Sequence, residues 1–125
     1  MTDFRMPPLS MVMLGVRDLD KSVSFYRDRL GIQVRQQFPG FAFLDTGSVS
    51  VILSEALAKN SPTVAGATEV IFNVEDVRAS AEELEKKGIE FVRAPHQVNG
   101  PMWAANFRDP DGHLLTVFGP ERKAT

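Results

Sequence analysis

Two segments of the chain open in the same way. Met11-Val-Met-Leu-Gly-Val-Arg-Asp-Leu-Asp20 and Glu69-Val-Ile-Phe-Asn-Val-Glu-Asp-Val-Arg78 superpose with Val12 over Val70, Val16 over Val74 and Asp18 over Asp76. Apolar Leu14 and Leu19 fall over Phe72 and Val77. A plan that occurs only twice is a duplicated half-domain rather than a repeat array. At 125 residues the chain is one ordinary domain's worth, so the halves must share a structure and can make one pocket between them.

Within each half the hydrophobic period changes in the same order. Val12, Leu14 and Val16 alternate with Met11, Met13 and Gly15, which is how a strand with two different surroundings reads. Asp18 can cap a helix whose buried stripe is Leu19, Val23, Tyr26 and Leu30, and Gly31 stops it. In the second half Asp76 caps, Val77, Ala81 and Leu84 form the stripe, and Gly88 follows Lys86 and Lys87, where cations suit the dipole. Strands are expected over residues 32–38, 41–45 and 49–54, and again over 90–93, 102–108 and 114–118. Pro39-Gly40, Thr46-Gly47-Ser48, Asn99-Gly100-Pro101 and Asp109-Pro-Asp-Gly112 are the turns between them. The pattern is βαβββ twice: a first module over 9–55, a small, polar linker over 56–68 and a second module over 69–119. Both ends of the chain read as frayed.

Composition removes several classes of function. A hydrophobic content of 43% and a charged content of 24% suit a soluble globular protein, and a net charge of -2 offers no basic surface to nucleic acid. No apolar run approaches the length of a membrane span, and the N-terminal residues lack the apolar stretch of a signal peptide. Without cysteine there is no disulfide, thiolate metal site or cysteine nucleophile, and a cytoplasmic location is expected.

Two stretches carry a family resemblance. Val16-Arg-Asp-Leu-Asp-Lys-Ser-Val-Ser-Phe-Tyr26 with Leu30-Gly31, and Phe107-Arg-Asp-Pro-Asp-Gly-His-Leu-Leu-Thr116, resemble the vicinal oxygen chelate superfamily of glyoxalases, extradiol dioxygenases, fosfomycin-resistance enzymes and bleomycin-resistance proteins. The resemblance runs from Met11 to Phe118. It implies an α+β fold in which two βαβββ modules form an eight-stranded open half-barrel around a cleft, often as a homodimer. Metal-dependent relatives place His, Gln or Glu on the first and last strand of each module. Those positions fall here on Met11, Ile52, Glu69 and Thr116, and only Glu69 is an ordinary ligand. One carboxylate beside a thioether, an alkyl group and a hydroxyl cannot hold a divalent cation, so neither metal nor cofactor is expected.

The expected ligand-binding set is Met11, Met13, Ile52, Glu69, Asn73, Trp103 and Thr116. Methionines there would adapt to an irregular ligand. Phe38, Phe41, Phe43, Trp103 and Phe107 could line the cleft, but alternation lets only some face inward. Trp103 is divided between cleft and core, with the cleft favoured; Tyr26 is read as core. The Asp109–Gly112 segment is read as a tight turn. Glu69 is the one candidate catalytic residue: pointing into an apolar cleft, it would sit where its charged form is disfavoured, suiting proton transfer or the binding of a ligand amine. Binding of a hydrophobic or aromatic small molecule without metal is the favoured function. A metal-independent lyase or isomerase using Glu69 is the alternative, and metal-dependent glyoxalase or dioxygenase chemistry is disfavoured.

Overall fold

In the computed structural model, which describes residues 4–5, 8–60 and 68–122, the duplication is visible in the strand order. The first module runs β1 (Met11–Gly15), α1 (Leu19–Ser24, continued by a π-helical turn Phe25–Arg29), β2 (Gln33–Phe38), β3 (Phe41–Asp45) and β4 (Ser50–Ser54). After α2 (Glu55–Asn60) the second module repeats it with β5 (Glu69–Asn73), α3 (Val77–Lys86), β6 (Phe91–Asn99), β7 (Met102–Arg108) and β8 (Leu114–Pro120). The eight strands form two unclosed four-stranded sheets, ordered β1-β4-β3-β2 and β5-β8-β7-β6. In each, the opening strand runs parallel to the closing one and the remaining pairs are antiparallel.

Both helices begin as the sequence predicts. Asp18 and Asp76 are extended, and their carboxylates accept the backbone N–H of Lys21 and Ala79 at 3.1 Å, satisfying one of the free donors of each first turn. The first helix then widens: Leu30 N–H reaches back to the Phe25 carbonyl at 3.2 Å, and Phe25 and Tyr26 are both turned into the core. Val12, Leu14, Val51, Leu53, Ala42 and Leu44 of the first sheet and Leu115, Val117, Ala105 and Phe107 of the second back onto these helices as one continuous cluster. Gly119 is required where β8 passes Val74, because a Cβ there would collide with the Val74 carbonyl.

Two expectations are corrected. The strand placed at 90–93 extends to Asn99 with three register irregularities, so His96 belongs to β6. This strand lies at the sheet's edge, and Pro95 falls within the irregularity between Arg93 and His96, where it has no registered partner on β7. The stretch read as linker over 56–68 begins with α2, whose Ala58 backbone lies 3.1 Å from where a Cβ of Gly15 would sit. Glycine at 15 thus lets α2 lie against β1. Residues 61–67 of that stretch, and the chain ends read as frayed at 1–3 and 123–125, lie outside the described residues.

The Asp109–Gly112 segment is the expected turn, with Gly112 at φ +92°, and it also joins the modules. Asp109 is buried and accepts the Tyr26 hydroxyl at 2.8 Å, the His113 N–H at 2.8 Å and the Asp111 N–H at 2.9 Å. Asp111 accepts the Arg17 N–H and Nε at 2.9 and 3.1 Å and the Ser22 hydroxyl at 3.2 Å. His113 Nε2 lies 2.7 Å from the Gly15 carbonyl, so that nitrogen carries the proton. Burial first, and then the charge of Asp109, push the Tyr26 hydroxyl well above the usual phenol range.

Candidate functional site

Each sheet has a back against the helices and an open face, and alternation decides which residues reach which. Met11, Met13 and Gly15 share the open face of the first sheet with Ile52, the partner of Met13, and Phe43, the partner of Ile52. Met11 and Met13 are 53% and 48% exposed. Phe38 stacks on Phe41 with ring centres 4.9 Å apart, and Phe43 meets both edge-on. Ile52 is only 5% exposed, so it supports this face rather than lining it.

On the second sheet the equivalent positions carry polar groups. Ile71 pairs with Thr116 as Met13 pairs with Ile52, and Asn106 pairs with Thr116 as Phe43 pairs with Ile52. Asn106 Nδ2 donates to Thr116 Oγ1 at 2.7 Å and to Glu69 Oε2 at 3.3 Å, and the Thr116 hydroxyl donates to the same Glu69 oxygen. Thr116, 2% exposed, and half-buried Asn106 thus hold the carboxylate in one orientation. Glu69 itself is exposed, contrary to the expected apolar surroundings: it stands on the edge strand, with water on one side. Asn73 lies on the same face, two positions beyond Ile71.

The seven expected residues therefore divide. Glu69, Asn73 and Thr116 share one open face; Met11, Met13 and Ile52 share the other. Trp103 belongs to neither. With Ala105 and Phe107 it lies on the back of β7, and Arg78 of α3 sits 5.8 Å from its ring centre. The alternation Trp103, Ala105, Phe107 against Ala104, Asn106, Arg108 carried this signal. Asn106 was missed, although counting outward from the Asp109 turn pairs it with Thr116. A groove of about 560 Å³ between the modules brings Glu69 and Asn73 beside Val12 and Val51 of the first module, not beside its methionines.

The donors do not fit a divalent cation. Thr116 directs its proton at Glu69, Met11 offers a thioether and Ile52 nothing, and among the described residues no three His, Cys, Asp or Glu side chains converge. No helix among the described residues is long and apolar enough to cross a membrane.

Known proteins share this architecture. The chain is 32% identical to the glutathione transferase FosA of Serratia marcescens over 87% of its own length and 78% of that protein's. It is 27% identical to the bleomycin resistance protein of Geobacillus stearothermophilus over 87% and 94%. The crystal structure of TnmS3, an antibiotic binding protein from Streptomyces sp. CB03234, superposes with a TM-score of 0.78 at 20% identity over 95% of this chain and 100% of that one, a likeness of fold. The model of the Glyoxalase/Bleomycin resistance protein/Dioxygenase superfamily matches residues 9–117, which run from before β1 into β8 and include the turn that joins the modules. The chain belongs to that superfamily.

Proposed function

We propose that the protein binds a small hydrophobic or aromatic molecule without a metal and acts as a homodimer in the cytoplasm. The observation that carries this reading is the set Met11, Ile52, Glu69 and Thr116: one carboxylate, its hydrogen-bond donor and two apolar side chains, in place of a ligand set. Exposed methionines and stacked phenylalanines on the first sheet offer an adaptable apolar wall. The likeness to a bleomycin resistance protein favours sequestration of an antibiotic-like compound. Dimerisation is supported by the unpaired sheet edges at β1 and β5, whose outward backbone groups a second copy would cover.

Calorimetric titration against a panel of aromatic compounds and antibiotics tests the reading. Saturable binding should persist in chelator and after added zinc, nickel or manganese. One bound metal per chain together with metal-dependent turnover would overturn it. Sedimentation at micromolar concentration should give a dimer.

A second reading, a lyase or isomerase in which Glu69 moves a proton, draws on its fixed, water-facing carboxylate. It requires deuterium exchange into a bound ligand that Glu69→Gln abolishes.

A further inference from the structure

Three side chains on the second sheet are committed to presenting one oxygen atom. Asn106 donates to Thr116 and to Glu69, and Thr116, its oxygen already accepting from Asn106, directs its proton to Glu69. Both contacts to the carboxylate fall on Oε2. Among the described residues Oε1 has no hydrogen-bonding partner, and Glu69 makes no ion pair. The face beside it is apolar at Ile71, which is exposed. A carboxylate held in this way has surrendered its rotamer freedom before any ligand arrives, which removes part of the cost of binding.

From this geometry, and resting on the binding reading above, we propose that the ligand carries a protonated amine beside an apolar or aromatic body, and that the amine docks on Glu69 Oε1. An ammonium group supplies the donors that the carboxylate lacks, and the charge-assisted bond is the strong kind. Ile71 takes the adjoining hydrocarbon. Two cations lie on or beside the same face. Arg108 is turned to the Gly112 carbonyl at 2.9 Å. Arg93, registered opposite Asn106, is exposed and has no hydrogen bond or ion pair among the described residues. Nothing orients Arg93 as Thr116 and Asn106 orient Glu69, so the preorganised charge is the negative one.

The test uses the full chain and three matched probes: phenethylamine, phenethyl alcohol and phenylpropionate. In calorimetric titration the amine should bind about tenfold more tightly than the alcohol, which shares its aromatic body, and the advantage should shrink as salt is added. Glu69→Gln keeps the shape and should bring amine and alcohol to the same affinity, the amine losing several-fold more than the alcohol. Thermal melting of that variant at the parent temperature shows that the fold is intact. Equal binding of amine and alcohol, or tightest binding of phenylpropionate, overturns the amine assignment while leaving the binding reading standing. If none of the three probes and none of the wider aromatic panel binds, both fall together.

Discussion

Met11, Ile52 and Phe43 on the first sheet occupy the same register as Glu69, Thr116 and Asn106 on the second, yet one row is apolar and the other is a hydrogen-bonded chain. The backs of the two sheets show no such divergence: Leu53 and Ala42 on one correspond to Val117 and Ala105 on the other, and all four are buried. The back must pack at crystal-like density, so duplication leaves it little choice. The open face answers only to solvent and to whatever binds there. Difference between the modules is therefore a map of where function can reside.

The largest effects should come from testing that division directly. Phe107→Ala on the buried back of β7 should cost about 3–5 kcal/mol of unfolding free energy, because the ring is buried and packs edge-on against Phe91. Met13→Ala on the exposed face of β1 should stay within about 0.5 kcal/mol. Denaturant midpoints measure both. A Met13 variant as damaging as the Phe107 one would mean that the open face is part of the core.

The joint between the modules should respond next. Tyr26→Phe removes one of three donors from buried Asp109, at a cost of about 1–2 kcal/mol by chemical denaturation. Its pH dependence has a definite sign. The unfolded chain's tyrosine loses its proton near pH 10, whereas burial and Asp109 keep Tyr26 protonated in the fold well beyond that. The contribution is whole below about pH 10 and declines as the pH climbs further, by up to about 1.4 kcal/mol per unit. Tyr26 is the only tyrosine, so the Phe variant should lack this part of the alkaline slope.

How much of this was legible follows from periodicity. The duplicated strand–helix openings, both Asp caps and the glycine stops were local signals and formed where their residues predicted, whereas β6 ran on to Asn99 and α2 formed inside the expected linker. Pairing was harder. The placement of Trp103 in the cleft failed because an aromatic ring suits a binding wall and a core equally; its alternation with Ala105 and Phe107 pointed to the back, and its register with Gly119 puts it there. The burial imagined for Glu69 failed because exposure depends on β5 being an edge, which strand order decides. The turn at Asp109–Gly112 was read correctly but for a local reason; its partners Tyr26, Ser22 and Arg17 lie in the other module, beyond the reach of any short motif.

Thr116→Val sharpens the comparison by making the second row resemble the first. The substitution keeps the volume and removes the hydroxyl, leaving Asn106 with one acceptor fewer and Glu69 with one donor fewer. Stability should fall by about 1 kcal/mol. Amine binding should weaken several-fold as the carboxylate gains freedom, while binding of an uncharged aromatic probe is kept. Titrating the variant with both probes checks this; loss of both to the same degree would show that Thr116 supports the face and has no part in aiming the carboxylate.

The smallest expected effect concerns Trp103, and it separates back from face most cleanly. Its ring lies under Arg78, which also donates to Glu121 at 2.6 Å, so the indole senses α3 and the end of β8. A ligand on either open face is separated from it by the thickness of the sheet. Saturating ligand should therefore leave Trp103 emission nearly unmoved, while Arg78→Ala, which removes the cation from the ring, should change its intensity. As the only tryptophan, Trp103 is the one indole reporter. A large, saturable change of its emission on ligand binding would place the ligand on the helix side. There an apolar groove of about 400 Å³ lined by Leu30, Ile32, Phe72 and Leu84 would be its site, and the polar row at Glu69 would lose its claim.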